Sequence, residues 1–252
     1  MNRKDLLLPR LDAIGRSLER AGHALALLGL GSVGVELERL DDDSDLDFFA
    51  IVEEGFKARF VEDLDWLAGA CPIAYRYRNT ADGHKVLFAD GVFCEFAVFE
   101  PAELRSIPFA RGRIVWKQPQ VDPAIGIPAR AGEPTPSRAV DWLLGEVLTN
   151  LYVGLSRFHR GEKLSALRSF QFHAVESALE LAERVEPESP ADRDPFSNER
   201  RYERRYPGMA QDLPQFLQGY ERTPQSALAL LSFLERRFDV NPAMAAAIRE
   251  RC

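Results

Sequence analysis

The sequence predicts an α+β chain, with strands and helices over the first half and helices alone over the second. Three observations carry that expectation. Apolar runs with period-two alternation recur between residues 24 and 99 and again at 114–116. Five prolines (Pro119, Pro123, Pro128, Pro134 and Pro136) interrupt the stretch from 117 to 137. Beyond it, Val140, Leu143, Leu144, Val147, Leu148, Leu151 and Leu155 recur at helical spacing.

Residues 6–21 carry Leu7, Leu8, Leu11, Ile14, Leu18 and Ala21 on one stripe, and Gly22 ends that helix. The apolar run 24–30 reads as a buried strand. Gly31-Ser32 follows, then a short helix, an acidic loop and a second strand reaching Val52. Residues 56–70 form an amphipathic helix with Phe60, Leu64 and Leu67 inward. Strands are expected at 73–78, 85–88 and 92–99, with 79–83 a loop and Ala89-Asp90-Gly91 a hairpin turn. Ile114-Val115-Trp116 adds a last strand. The proline-rich stretch reads as a linker, which gives domains at 1–118 and 138–252 joined through 119–137. In the second domain, helices are expected at 138–159, 165–185, 199–206, 212–220, 227–238 and 242–250, the last with Asn241 as N-cap.

With 252 residues and 46% hydrophobic content, the chain is long enough for one large or two modest cores. No apolar run approaches the roughly 18 residues of a membrane span. Leu6-Leu7-Leu8 stops at Pro9, too short for a signal-peptide core. Cys71, Cys94 and Cys252 lack metal-ligand spacing and are read as free thiols, which favours a cytoplasmic location. A net charge of −7 argues against bulk nucleic-acid binding and suits a cationic small substrate.

The chemistry concentrates in residues 30–52. Side chains alternate along a strand, so Asp45 and Asp47 point the same way, with Phe49 and Ile51 continuing their face. Two adjacent carboxylates repel unless a cation lies between them, and oxygen-only ligands suit Mg²⁺. Asp41, Asp42 and Asp43 precede the apolar run and read as a solvated turn. Gly31 lets the backbone approach a phosphate, Ser32 adds a hydroxyl, and the helix expected next would offer free N–H groups to an anion. Glu95 interrupts an apolar strand on the face of Phe93, Ala97 and Phe99. It is a third metal ligand, a general base for an acceptor hydroxyl, or a glutamate on the open face of an edge strand.

A strand, Gly-Ser, a spacer and Asp-apolar-Asp-apolar on the next strand resembles the polymerase-β-like nucleotidyltransferase superfamily. Within it the chain is similar to lincosamide and aminoglycoside nucleotidyltransferases, through LGS with DLDF, FCEFAVFE, NLYVGLSRFHRGE and DPFSNERRYERRYP. The resemblance implies an N-terminal nucleotidyltransferase domain, a mixed sheet with flanking helices, followed by a C-terminal α-helical bundle for substrate binding and dimerisation. It implies transfer of a nucleoside monophosphate from ATP or another NTP to a hydroxyl of an antibiotic, with release of pyrophosphate. A lincosamide is the first acceptor it suggests and an aminoglycoside the second. Asp45, Asp47 and Glu95 would be the catalytic and metal-binding acids, holding one or two Mg²⁺, and Gly31 and Ser32 would cradle phosphates.

The cluster at 198–207 offers Arg200 and Arg201 as phosphate contacts. Glu146 and Asn150, at helical spacing with Arg157, are candidates for the acceptor. A homodimer is expected, with no membrane partner. Arg168 and His173 match the Arg-x₄-His spacing of HEPN ribonucleases, which suggests an alternative toxin–antitoxin role with a protein or RNA acceptor. Five residues of α-helix leave that pair about 140° apart, so His173 is read as packed or hydrogen-bonded structure.

Overall fold

The computed structural model describes residues 2–130, 137–190, 193–194 and 196–252. It is an α+β chain that divides into two compact units, Met1–Glu133 and Pro134–Cys252.

The first unit is built on six strands: β1 (Ala24–Leu30), β2 (Leu46–Val52), β3 (Ile73–Arg78), β4 (Gly83–Phe88), β5 (Phe93–Phe99) and β6 (Arg113–Lys117). Their spatial order is β3-β4-β5-β2-β1-β6. The sheet is mixed, because β2 and β5 run parallel while every other neighbouring pair is antiparallel. Helices α1 (Arg3–Arg20), α2 (Lys57–Glu62) and α3 (Asp65–Ala68) cover one face. Leu7, Leu11, Ile14 and Leu18 of α1 pack there with Leu27, Phe48, Phe60, Leu67, Val86 and Phe96. On the other face Ala26, Leu28, Ile51 and Phe99 pack with Leu104 and Phe109. The alternation along β2 therefore sorts as the sequence implies, with even positions toward the helices and odd positions toward the second face.

Three expectations for this unit need correction. The 56–70 helix is two short helices, although Phe60, Leu64 and Leu67 are all buried. The break follows from Asp63, whose carboxylate accepts from the Asp65 N–H at 2.9 Å and satisfies a local turn in place of the helix. The helix expected after Gly31-Ser32 is replaced by two single 3₁₀ turns, Gly31–Val33 and Leu37–Arg39. Glycine is required here by close approach: a Cβ on Gly29 would lie 2.5 Å from the Val33 carbonyl oxygen folded back over it. Finally, the stretch assigned to a linker belongs to the first unit as far as Arg130. Gly112 N–H donates to the Gly126 carbonyl at 2.8 Å, and Ile125 packs on the second face. Prolines here shape a turn, Pro123–Gly126, capped by Asp122, instead of a free tether. Residues 131–136 of the assigned linker lie outside the described residues.

The second unit is helical: α4 (Val140–His159), α5 (Lys163–Arg168), α6 (Val175–Ala182), α7 (Tyr202–Arg205), α8 (Pro207–Phe216), α9 (Thr223–Arg237) and α10 (Pro242–Arg249). Leu143, Val147, Leu151 and Leu155 of α4 share one core with Phe170, Ala178, Leu231, Phe233 and Ile248. Asn241 caps α10, accepting from Ala243 and Met244 N–H. Between α5 and α6 the chain forms a π-helical segment, Ser169–Ala174. A π-helix turns less per residue than an α-helix, so Arg168 and His173 come closer to a common face than α-helical geometry allows. Both are exposed, so of the two readings of His173, packed or hydrogen-bonded, the packed one does not hold. Among the described residues no helix is long and apolar enough to cross a membrane.

Candidate active site

Asp47 is the second residue of β2, and Asp45 stands one position before that strand begins. Beneath them, on the helix-covered face, Phe48 and Phe96 are register partners and stack with centroids 5.3 Å apart. Trp66 meets both rings edge-on, at 6.5 and 5.3 Å, and its indole N–H donates to the Phe60 carbonyl at 3.0 Å. Such aromatic pairs contribute about 0.5–1.5 kcal/mol each beyond burial. The cluster holds β2 and β5 in the register that makes Asp47 and Glu95 neighbours. Glu95 is on an interior strand between β4 and β2, which removes the edge-strand alternative.

The Gly31-Ser32 turn lies on the other side of Asp47, since Leu30 is the register partner of Asp47 across β1 and β2. Gly31 has φ +53°, and a Cβ built on it would lie 3.5 Å from Asp47 Oδ2. Only glycine adopts that backbone without strain and leaves this space open. Below the acids the Cys94 thiol is buried, and its pKa is pushed far up, first by burial and then by the charges of Asp47 and Asp45. The aspartates thus act together as a negative field. Asp41, Asp42 and Asp43 are exposed, and Asp41 accepts from Asp43 N–H and the Ser44 hydroxyl in a local turn.

Glu95 brings two residues that spacing alone did not single out. Asn79 Nδ2 donates to Glu95 Oε1 at 2.8 Å, and Lys85 Nζ is 3.2 Å from Glu95 Oε2. Alternation along β4 placed Lys85 on a face, but only the β4–β5 register makes it the neighbour of Glu95. Arg113, on β6, donates from Nε to the Val33 carbonyl at 3.0 Å and ties down the Gly31–Val33 turn.

Asp45 and Asp47 are oxygen donors on a half-exposed face. That suits a cation such as Mg²⁺, which takes one or two carboxylates and keeps waters and phosphates as its other ligands. Among the described residues no group of three His, Cys, Asp or Glu could hold a metal by itself. Two surface hollows, of about 350 and 580 Å³, are lined by residues such as Arg59, Asp63 and Trp66, or Leu64, Ile73 and Arg76. Neither includes Asp45, Asp47 or Glu95.

The remaining candidates belong to the second unit. Arg200 and Arg201 both reach Asp194, at 2.9 and 3.7 Å. Asn150 Nδ2 donates to the Glu146 carbonyl at 2.8 Å, and both residues are half-buried. Arg157, on the same helix, donates to the Ser169 hydroxyl at 2.9 Å and so ties α4 to the π segment.

No protein-family model matches the sequence, and no curated protein matches it. Six chains of solved structures are similar. One is an aminoglycoside 6-adenyltransferase from Bacillus subtilis, 11% identical, matched over 95% of this chain and 89% of that one, with a TM-score of 0.33. A likeness at that level carries no functional argument, and function has to be read from the residues above.

Proposed function

We propose that this chain is a nucleotidyltransferase that moves a nucleoside monophosphate from ATP to a hydroxyl of a small-molecule antibiotic, with a lincosamide as the first acceptor to test. One observation carries the proposal: Glu95 is the register partner of Asp47, the Gly31-Ser32 turn flanks Asp47 on the other side, and Asp45 precedes it by two residues. Asp45 and Asp47 would hold Mg²⁺. When bound, the metal supplies positive charge against the phosphates and lowers the pKa of a coordinated hydroxyl. Backbone N–H groups of the turn and the Ser32 hydroxyl bind the outer phosphates. Because the turns that follow Leu30 are 3₁₀, this anion site would use the N–H groups of a single turn and not a helix N-terminus.

The acceptor oxygen bonds to the α-phosphorus as the bond to the bridging oxygen breaks and pyrophosphate leaves. Glu95 would take the hydroxyl proton or ligate the metal through the lone pairs that Lys85 and Asn79 leave open. Arg200, Arg201, Glu146 and Asn150 are proposed to add substrate affinity. Both arginines are already ion-paired with Asp194, with which a substrate anion would compete. A homodimer and a cytoplasmic location complete the proposal.

Pyrophosphate release with Mg²⁺ and ATP, measured against lincosamides, aminoglycosides and a no-acceptor control, tests it. Release that depends on one drug class is the expected result. Release without any drug dependence would shift the assignment to self-modification or to the toxin–antitoxin role.

A further inference from the structure

Opposite partners in a sheet share a face, so register lists the residues that lie beside the acids. From Asp47 the row runs to Glu95 on β5, Lys85 on β4 and Tyr77 on β3. The next row joins Phe93, Leu87 and Tyr75. Tyr75 and Tyr77 are 57% and 55% exposed, while Leu87 and Phe93 are half-buried. Arg76 and Arg78 point to the opposite face, where their partners are Val86 and His84. With strands about 4.8 Å apart, Tyr77 is roughly 14 Å across the sheet from Asp47. An aromatic strip thus continues the acidic face out to the sheet edge.

The proposed reaction gives that strip an occupant. Attacking and leaving oxygens lie in line on opposite sides of the phosphorus. The Gly31-Ser32 turn, which would hold the departing phosphates, is on the β1 flank of Asp47. The acceptor therefore approaches from the β5–β4 flank, over Glu95 and Lys85 toward the tyrosines. We infer that Tyr75, Tyr77, Leu87 and Phe93 form the acceptor subsite, and that the acceptor is a ring-bearing hydroxyl compound with an apolar flank and at most one positive charge. Tyrosine rings stack on the C–H face of a sugar or on a heterocycle, and Leu87 and Phe93 take an apolar substituent. Glu95 is already paired with Lys85 and the aspartates would face the metal, so the row leaves no carboxylate over for a polycation. This inference rests on the nucleotidyltransferase assignment and deepens it.

The test uses the full-length protein, the Tyr75→Thr/Tyr77→Thr double variant and Tyr77→Phe. Threonine preserves strand propensity at the edge. Calorimetry measures Mg·ATP and drug binding, and kinetics give separate KM values for ATP and acceptor. The probes are lincomycin, which carries one amine, a sugar ring and an apolar chain, and kanamycin, a polycation. Losing a stacking ring costs about tenfold in affinity. The double variant is expected to raise the lincomycin KM and Kd at least about tenfold, with ATP binding unchanged, and Tyr77→Phe to stay near wild type. Unchanged ATP binding also reports that the variants fold. A rise in the ATP KM alone would put the nucleobase on the strip and overturn the inference. Unchanged lincomycin values would overturn it too, and transfer to kanamycin alone or to neither drug would overturn the acceptor class. Failure of the wild-type protein to bind Mg·ATP would instead bring down the nucleotidyltransferase assignment beneath it.

Discussion

Replacing Asp45 with Asn should make the metal-free protein more stable and abolish the proposed nucleotidyl transfer. Asp45 and Asp47 are two residues apart, a spacing of about 6.7 Å where the chain is extended. Two unit charges at that distance repel by about 0.6 kcal/mol at the dielectric of water and about 2.5 kcal/mol at an effective value of 20. Both side chains are half-exposed, so the lower part of that range applies. Asn keeps the side-chain shape and removes one charge. Urea unfolding in EDTA should show a midpoint shift equivalent to about 0.5–1.5 kcal/mol of added stability with an unchanged slope, and a thermal midpoint about 2–5 °C higher. Pyrophosphate release should fall by about a thousandfold, the scale at which one lost electrostatic partner of a transition state is felt. A stability gain with lost activity marks a residue kept for function. A variant that unfolds more easily by 1 kcal/mol or more would make Asp45 a structural residue. Near-native turnover would remove it from the site.

Three further outcomes follow from named contacts. Lys85→Met removes a cation 3.2 Å from Glu95, so Mn²⁺ affinity measured by titration should rise by roughly fivefold, about 1 kcal/mol of relieved repulsion; weaker metal binding would mean that Lys85 supports the site. His84 is buried, with Nε2 2.8 Å from the Val61 carbonyl, and burial together with the charges of Arg78 and Arg76 lowers its pKa despite that hydrogen bond. The unfolded chain protonates near pH 6.5 while the folded imidazole stays neutral, so stability holds above that pH and declines below it until the folded form titrates. The urea midpoint should drop from pH 7.5 to 5.5 in wild type, and by less in His84→Gln. Arg205 is fully buried against Glu188 at 2.9 Å and Glu183 at 3.6 Å. Arg205→Leu should cost about 3 kcal/mol or more in the second unit by denaturant unfolding, since Glu183 loses its buried partner; a neutral effect would show that the network can be replaced by apolar packing.

Period and local chemistry were legible in the sequence because they depend on neighbours along the chain. Alternation put Asp45 and Asp47 on one side and Leu46 and Phe48 on the other, and set Glu95 apart from Cys94 and Phe96. The stripe of α4 and the Asn241 cap are local in the same sense. The spacer after Ser32 was not legible, because its path is set by the Val33 carbonyl folding back over Gly29 of β1, a contact that no helical pattern reports. Nor was the packing of the proline-rich stretch, since Ile125 finds its partners on a distant sheet face. The strand order decides most about the site. It sets Asp47 beside Glu95, Glu95 beside Lys85 and Lys85 beside Tyr77. A strand's own residues state which face each side chain takes, but the neighbour across the hydrogen bonds is chosen by the burial of the whole sheet, here by Phe48 on Phe96 beneath the acids. The carboxylates were therefore visible in the sequence, and the residues that hold and extend them only in the folded chain.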